Sequence, residues 1–410
     1  DLGRGAALLA VLLIACPVAA IAQSTITLES VRERALAASQ ELRAGSLVVD
    51  QRRAEREASG ILPDLELYYE IDEAPSSSLF ERSNTALGVR QKLEMPMVQG
   101  ARARVLDLAI RQSGIELESV RRAVAVRAAH AYLDLVAAAT LVDIADTAVS
   151  IADEFARRAG RRRELGESNA LEPLQASLAV ATARQRRLVA VAEYERAVAV
   201  VRALIAAAPG EVIVTTDRLR APAPAPTIAE LEGRHRTDHP RIGVARAAVE
   251  IAAAREGVVG AERYPRFELE YSRQTVDGEG GFHGGVVGVE LPLWRLLDGA
   301  PDRAARAETA VREAELVRDS IHVISSLRSL NARYEASRTA LEQYVDVLIP
   351  HATETARVAL RLFQEGEATY LEVLAAQTTL IEQQHAFVAA LRDVEHLRIE
   401  LELGAGGDAR

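Results

Sequence analysis

The sequence contains one segment twice, 200 positions apart. Residues 163–176 align with residues 364–376, and the glycine within each copy, Gly166 or Gly366, sets the offset (366 − 166 = 200). The other matched pairs are Glu167 with Glu367, Leu171 with Leu371, Glu172 with Glu372, Leu174 with Leu374 and Ala176 with Ala376. Residues 40–43 match residues 240–243 at the same offset. Two matches in one order at one offset indicate a duplicated chain, which must fold as two related halves.

Each half changes from helical to strand periodicity and back again. Three strands are predicted where apolar and polar side chains alternate with a period of two, at residues 65–72, 267–272 and 287–291. A weaker strand is predicted over residues 86–92, paired with the first. Stretches rich in Ser, Pro or Gly at 74–83 and 276–285 predict the hairpin loops.

Long helices flank the predicted strands. No proline occurs between Gly100 and Leu165, and a continuous helix there would be about 100 Å long at ~1.5 Å per residue. The matching helix, 301–364, has the 4-3 spacing of a coiled-coil seam at Val323, Leu327, Leu330, Tyr334, Leu341, Tyr344 and Leu348. Pro350 is expected to interrupt and kink it. Returning helices are predicted at 169–207 and 369–403.

These patterns predict a mostly α fold with a small β part. The expected protomer has two repeats, each contributing a long antiparallel coiled-coil helical hairpin and two of the four amphipathic strands. The predicted order is a signal peptide at 1–22, a first repeat at 25–208, a linker at 209–238, a second repeat at 239–404 and a C-terminal tail at 405–410. Within the linker, an Ala-Pro run precedes a short helix at 228–235.

The first residues have the features of a bacterial export signal. A basic Arg4 precedes an apolar run, and small residues at 20–22 offer a cleavage site. Cys16, the only cysteine, lies in a sequence that looks like a lipobox. Two interpretations stay open: cleavage after Ala22 removes Cys16, whereas cleavage before Cys16 leaves a lipidated N-terminus. In either case the exported chain has no disulfide.

Composition excludes some classes of protein. The net charge of −10 argues against a nucleic-acid-binding protein, which would have a basic face. The most apolar region after the signal, Ala123–Ala152, is interrupted by Arg127, His130, Asp134 and Asp143, so no uninterrupted apolar stretch reaches the ~18 residues of a spanning helix. A role in the membrane would therefore depend on the strands.

Four strands are too few to close a membrane barrel, since the smallest barrels have about eight. Open strand edges in a bilayer cost several kcal/mol per unpaired group. Three chains would supply twelve strands. The side chains predicted to face lipid are Leu65, Leu67, Tyr69, Ile71, Phe267, Leu269 and Tyr271, with Trp294 at the interface. Those predicted to line an acidic lumen are Glu66, Glu70, Asp72, Glu268, Glu270 and Glu290.

The element order, the repeat and the paired Gly-x-x-(Ser/Thr)-x-Leu turns resemble those of the TolC-like outer-membrane efflux proteins, over essentially the whole mature chain. The resemblance implies a homotrimer with a twelve-stranded barrel in the outer membrane and a twelve-helix periplasmic tunnel. It implies two partners, a periplasmic adaptor and an inner-membrane proton-driven pump. The turn residues it predicts to contact the adaptor are Gly166, Glu167, Ser168, Leu171, Gly366, Glu367, Thr369 and Leu371.

Within that family the chain is most similar to the heavy-metal branch, which serves cobalt–zinc–cadmium or copper–silver pumps. The features that suggest this branch are short extracellular loops, residues 91–94 before the helix start at Gly100, and the ending 397–404. A duct for drugs or other small organic molecules is the alternative, because both branches share the same body.

The resemblance also implies a gate near the tips, made of acidic rings and a latch arginine. Glu372 stands at the first acidic position and could form a three-fold carboxylate ring. Ala375 and Ala368 occupy the second acidic and the latch positions, so the family's gate is incomplete here. The alternative for Glu372 is a helix-start carboxylate favoured by the helix dipole. Because Glu172 precedes Pro173, the second tip is expected to carry more of any gate.

Three other groups of residues could bind a metal, but each has a plainer interpretation. Glu382 and His385 have di-iron spacing, but their repeat counterparts do not, so a polar helix face is favoured. His235, Asp238 and His239 are expected to be solvated loop residues. Met95 and Met97 suit Cu(I), but ordinary packing is favoured. No metal site and no cofactor is predicted.

No catalytic arrangement emerges from the sequence, so the chain is predicted not to be an enzyme but a passive conduit. One alternative of a different class remains, a soluble periplasmic coiled-coil adaptor or scaffold. The alternating Tyr/Leu strands argue against it, because such proteins have compact β-domains instead.

Overall fold

A computed structural model describes residues 23–60, 64–73, 83–166, 171–220, 226–276 and 279–403. Signal residues 1–22, with Cys16, lie outside this part, as do Glu167 and Ser168. The first half contains β1 (Gln23–Thr25), α1 (Leu28–Ala38), α2 (Gln40–Ala58), β2 (Glu66–Glu73), β3 (Ser83–Leu93), α3 (Pro96–Glu164) and α4 (Leu171–Leu204). The second contains β4 (Val212–Val214), α5 (Ile228–Asp238), α6 (Pro240–Ala261), β5 (Arg266–Val276), β6 (Glu279–Glu290), α7 (Leu293–Leu297), α8 (Ala300–Gln343), α9 (Ile349–Glu365) and α10 (Tyr370–Leu403). The predicted mostly α fold with a small β part is confirmed.

The duplication continues into the helix caps. Thr27 and Thr227, 200 positions apart, cap α1 and α5 with the same two reciprocal hydrogen bonds to the third residue of the helix. Ser39 and His239, also 200 apart, cap α2 and α6. Each cap satisfies a backbone N–H that the first helical turn leaves without a partner. The repeat is therefore a repeat of local structure as well as of sequence.

The four long strands form one antiparallel sheet in the order β2-β3-β5-β6. β3 of the first half pairs with β5 of the second, Val89 lying opposite Tyr271. The edges of the sheet are β2 and β6.

The strands are longer than the sequence predicted, and the glycine-rich stretch was misassigned. Gly280–Gly285 lies within β6, not in a loop, and Gly281 has φ +112° beside a register shift at Gln274/Thr275. A residue that takes positive φ is typical of a β-bulge, and glycine adopts this conformation without strain.

The helices continue the sheet as a layer, called the wall here, and neighbouring helices follow the same order as the strands. α2 packs on α3, α3 on α6 and α6 on α8, which repeats the strand order because each of these helices adjoins one strand. Further along α3, the neighbours become α4 on one side and α10 on the other, with α9 beyond α10. The molecule is therefore one continuous layer, four strands and then four helices wide.

α3 is a single helix of 69 residues, as the absence of proline predicted. It contains an 18-residue window of mean hydropathy 1.7, so by length and composition it is the one described helix that could cross a membrane. The sequence reading had excluded such a helix because of its charged residues. One such helix is weak evidence for a span, and α3 is packed by α1, α2, α4, α6 and α10 along the wall.

The predicted seam on α8 is confirmed at Val323, Leu327, Tyr334 and Leu341, all buried, but it ends in a π-helical turn. This turn, Tyr344–Leu348, ends two residues before Pro350 and closes with a bond from the Ile349 N–H to the Tyr344 carbonyl. The next buried residue is Ala352, one position later than a 4-3 repeat would place it. A π turn holds one extra residue, which accounts for the shift.

A short parallel pair, β1 with β4, lies beside the middle of the wall and was not predicted. Ile213 of β4 and Ile26, which follows β1, pack in a hydrophobic core with buried residues of α1, α3 and α4. The Tyr132 hydroxyl donates a hydrogen bond there to Asp217 and lies 3.4 Å from the Ile26 carbonyl. Burial and the bond to Asp217 raise the pKa of Tyr132 to about 12.

Candidate functional site

The polar face of the sheet has Arg90 at the centre of three carboxylates. Arg90 lies on β3, with Glu66 opposite on β2 and Glu270 opposite on β5. Its Nε is 2.7 Å from Glu268 Oε1, its Nη2 3.0 Å from Glu270 Oε2 and its Nη1 3.6 Å from Glu66 Oε2. Three of the residues predicted to line an acidic lumen are therefore brought together around one arginine, which the sequence analysis did not single out.

A tyrosine fixes this cluster in place. Tyr68 on β2 donates a short hydrogen bond to Glu270, and the Arg90 guanidinium lies 5.0 Å from the centre of the Tyr68 ring. The ring crosses β3 over Gly88, where a Cβ atom would be 2.5 Å from the Tyr68 ring. Only glycine leaves room for this ring, so Gly88 and Tyr68 form a matched pair.

The opposite face of the sheet is apolar and exposed, as the alternation predicted. Its exposed residues include Leu65, Leu67, Tyr69, Ile71, Leu87, Leu269, Tyr271, Val287 and Val289. Phe267 shares this face but is half-buried. The alternation is not strict, because Phe282 and Val286 lie on the polar face. The side chains of Asp72 and Trp294 are outside the described part of the structure.

Ion pairs tie the ends of the strands to the helices. Arg102 of α3 lies 2.6 Å from Glu94 and 3.2 Å from Glu262, and Arg295 of α7 bonds to Glu262 as well. Burial raises the pKa of Glu262, but the hydrogen bonds from both arginines outweigh it, so the pKa is lowered overall. Glu290 is exposed, with its carboxylate 3.9 Å from Arg266. These contacts fix the angle between sheet and wall.

The far end of the wall has two tip turns. Gly166 (φ +78°) and Gly366 (φ +82°) both take the left-handed conformation that ends a helix. After Gly366 the N–H groups of Glu367 and Ala368 bond to the Leu362 carbonyl, at 2.9 and 3.2 Å. Leu371 is exposed at this tip, and Leu171 at the first one. The two glycines thus take the same conformation, as the repeat predicted.

Glu372 caps the helix that starts at its own tip. Its Oε2 accepts hydrogen bonds from the Thr369 N–H at 2.7 Å and from the Thr369 hydroxyl at 2.9 Å. The backbone bond, followed by the hydroxyl bond, lowers the pKa of Glu372. Its counterpart Glu172 is instead 3.2 Å from Arg162 and is largely buried. Glu372 is thus the more exposed carboxylate of the repeat pair.

Three aromatic rings join the two tips. Phe155 of α3, Phe363 of α9 and Tyr370 of α10 pack edge to face, with ring centroids 6.1 to 6.4 Å apart. All three are buried with Ala159, Ala176 and Val373. The cluster therefore links the tips of the two halves.

The groups considered as metal ligands do not form a site. Within the described residues, no three His, Cys, Asp or Glu side chains are grouped so that they could hold a metal ion. The expectation that His235 and His239 are solvated was wrong: both are buried, since His235 bonds to the Leu231 carbonyl at 2.8 Å and His239 caps α6. Met97 is exposed at the start of α3. His385 is half-buried, with its pKa lowered by burial and by Arg186.

A second histidine pair was missed by the sequence analysis. His130 of α3 bonds through Nε2 to the His396 backbone carbonyl of α10 at 3.3 Å, and Asp134 lies 3.6 Å from His396 Nε2. The two histidines are 266 positions apart, so no local pattern could reveal them.

The chain combines a sheet that has one apolar exposed face and one charged face with a wall of long helices, an architecture that it shares with outer-membrane channels of known structure. Residues 234–407 match the family model described as outer membrane efflux protein. The chain is 22% identical over 375 residues to the cobalt-zinc-cadmium resistance protein CzcC of Cupriavidus metallidurans, covering 90% of this chain and 87% of that protein.

Solved structures have the same fold. The outer-membrane channel OprN superposes with a TM-score of 0.75 at 19% identity, covering 93% of this chain and 90% of that one. CusC superposes with a TM-score of 0.74 at 16% identity, covering 93% and 92%. The chain therefore has the fold of these outer-membrane channels, and its residues 234–407 match the outer membrane efflux protein family. These similarities favour a channel over the alternative of a soluble periplasmic adaptor.

Proposed function

We propose that three copies of this chain close into a duct that conducts heavy-metal cations passively from the periplasm to the exterior. The observation that carries the proposal is the open sheet: β2 and β6 are its edges, while its outward face is apolar. In a bilayer every backbone group must be paired, so four strands require neighbours on both sides. Three sheets joined edge to edge make a closed barrel of twelve strands.

The helical wall supports the same assembly. Near the sheet, the outermost helices on the two sides of the wall are α2 and α8. Near the tips, the outermost helices are α4 and α9. Large apolar side chains are exposed on these outer helices, among them Leu47 on α2, Val317 and Ile321 on α8, and Leu178 and Leu188 on α4. Exposed apolar patches of this kind mark interfaces, and the neighbouring protomers would cover them.

The cargo is inferred from chemistry and from the CzcC likeness together. The polar face of the strands has more carboxylates than cations among its described side chains, and carboxylate-lined pores favour cations. CzcC is named as a cobalt-zinc-cadmium resistance protein. Zinc, cobalt and cadmium are therefore the cargo to test first, followed by copper and silver.

We infer that the tips dock the periplasmic adaptor of a pump that supplies the energy. Leu171 and Leu371 are exposed beside the two glycine turns, where a partner could bury them. With them we assign Gly166, Glu167, Ser168, Gly366, Glu367 and Thr369 to this surface. Glu372 is our candidate for a three-fold carboxylate ring at the tip, and its lowered pKa keeps it charged.

The identity of the cargo is tested by deleting the gene for this chain and measuring growth in the presence of each metal. The proposal predicts lower tolerance to zinc, cobalt or cadmium, restored by the parent chain. Unchanged tolerance to these metals, copper and silver, with new sensitivity to organic compounds, would favour the drug duct instead. Recovery of the mature chain only as a monomer, by detergent extraction and cross-linking, would refute the closed barrel.

The docking surface has its own test. Leu171→Asp with Leu371→Asp should abolish complementation while leaving the assembled barrel intact, because the new carboxylates would be buried by the adaptor. Thr353→Asp is the matched control: it adds a carboxylate to an exposed position about 20 Å along α9 and should complement normally. Full complementation by the double variant would contradict the assignment.

A further inference from the structure

Arg90 is the positive charge shared by three carboxylates on the polar face of the sheet. Glu66, Glu268 and Glu270 all approach its guanidinium within 4 Å, from the strands on both sides of it. For each of the three, Arg90 is the only ion-pair partner among the described residues.

The guanidinium is held there from two directions. It bonds to Glu270 through both Nε and Nη2, at 3.1 and 3.0 Å, and it stacks near the Tyr68 ring. Tyr68 in turn bonds to the same carboxylate. A planar fork paired in this way is fixed in position, whereas a diffusing counter-ion is not.

A duct for cations faces a conflict that this arrangement resolves. Carboxylates attract cations into a pore, but conduction also needs binding weak enough for the ion to leave. The three carboxylates are not grouped as a metal site. Without the arginine, however, they would leave three uncompensated negative charges close together, which would attract and retain a divalent cation.

We propose that Arg90 is a built-in counter-ion that stops the barrel from trapping its divalent cargo. Glu70, exposed on the same face, is left to attract cations without adding to a cluster of uncompensated carboxylates. The inference rests on the proposed function, because it requires this face to line the lumen.

The test replaces Arg90 in the full-length chain, in which Cys16→Ser removes the only native thiol. Mn²⁺ is the probe, because it prefers carboxylate oxygens and its free form is counted by electron paramagnetic resonance. Arg90→Met should raise the affinity of the purified assembly for Mn²⁺ by about tenfold or more, the effect of uncovering carboxylates for a divalent charge. Arg90→Lys, which keeps the cation, should stay near the parent.

Arg273→Met is the matched control, since it removes one positive charge from the same sheet but from the apolar face. Its Mn²⁺ affinity should equal that of the parent. If Arg90→Met does not assemble, Arg90→Gln with Glu270→Gln removes the charge pair together, and Glu66 with Glu268 should still gain Mn²⁺ affinity over the parent. Parent-like affinity in every assembled Arg90 variant would overturn the inference.

A separate reporter tests the proposed function itself. Ala86 lies on the polar face opposite Glu70 and Gln274, so Ala86→Cys in the assembled protein should react with charged, membrane-impermeant thiol reagents. Absence of reaction would refute the lumen assignment, whereas reaction without any change in Mn²⁺ affinity would refute only the role of Arg90.

Discussion

His130 of α3 and His396 of α10 stack face to face, with ring centroids 4.1 Å apart and ring planes 19° from parallel. The contact joins the first hairpin to the second at the middle of the wall. Asp134 and Glu400 face it with negative charge, while Arg392 adds positive charge from α10. Burial, then the neighbouring His130, lowers the pKa of His396, against the opposing effect of Asp134.

This pair predicts a stability that depends on pH. The pKa of folded His396 lies below its ordinary value of 6.5, so the unfolded chain takes up the proton more readily. The stability that neutral His396 contributes to the folded state is therefore complete above pH 6.5 and is lost as the pH falls below that value. The melting temperature, followed by circular dichroism, should decrease between about pH 7.5 and about pH 5.5.

His396→Phe should reduce this decrease, since the ring volume stays and the titrating group goes. His322→Phe, at an exposed histidine on α8, is the control and should keep the parent's pH dependence. An unchanged pH dependence in His396→Phe would show that other groups are responsible.

Opening the aromatic cluster should loosen the tips. Phe155→Ala removes a buried ring from between Phe363 and Tyr370 and should cost about 3–5 kcal/mol of local stability. Hydrogen exchange of the amides on both tips should speed up together. Leu165→Ala, at a nearby side chain that is 73% exposed, should change stability by less than about 0.5 kcal/mol. Faster exchange confined to the first tip would mean that the tips are not coupled.

Gly366 at the second tip has a left-handed backbone conformation, so replacing it with a residue that has a side chain should reduce stability. At φ +82° an added Cβ strains the backbone, so Gly366→Ala should destabilise the tip by about 1–2 kcal/mol. Gly160 lies inside α3 with open space at its Cβ position, so Gly160→Ala should stabilise the helix by up to about 1 kcal/mol. Thermal melting of the two variants should therefore shift in opposite directions.

The four-stranded sheet should be sensitive to a methyl group at Gly88. Gly88→Ala brings a Cβ to 2.5 Å from the Tyr68 ring and displaces Tyr68 from Glu270, at a cost of about 1–3 kcal/mol. Gly285→Ala is the control, because its nearest neighbour would be a carbonyl oxygen at 3.8 Å. Urea titration of the assembled protein in detergent measures both. Equal midpoints for the two variants would contradict the matched-pair interpretation of Gly88 and Tyr68.

Sequence periodicity was sufficient to predict the elements that are long enough to contain several periods of the pattern. The helix at Pro96–Glu164 and the strands around Leu67 and Leu269 were predicted because helical and alternating patterns ran through them. The Gly280–Gly285 stretch was misassigned because glycines carry no side chain to show alternation, yet they pair in β6. The three-residue strands β1 and β4 were too short to show any period.

Only the acidic residues of the candidate site were predicted from the sequence. Glu66, Glu268 and Glu270 were recognised from their alternation with apolar residues, but Arg90 lay in the weak strand pattern at 86–92. Its partners on β5 are about 180 positions away in sequence, and their register depends on the pairing of β3 with β5. Alternation alone would have placed Arg90 on the same face as Lys92 and Ala86, which was the available signal. The histidine pair left no such signal, because both partners belong to different long helices.

The π turn at Tyr344–Leu348 makes the two hairpins of one protomer mechanically unequal. α3 is an unbroken rod over its 69 residues, whereas the α8–α9 rod has a joint where Pro350 offers no N–H to the preceding turn. Val345 and Val347 are exposed at this joint, so few side chains brace it. Bending there breaks fewer backbone bonds than bending α3 at the same height, so the tunnel of the proposed trimer would yield first at three evenly spaced joints around its circumference.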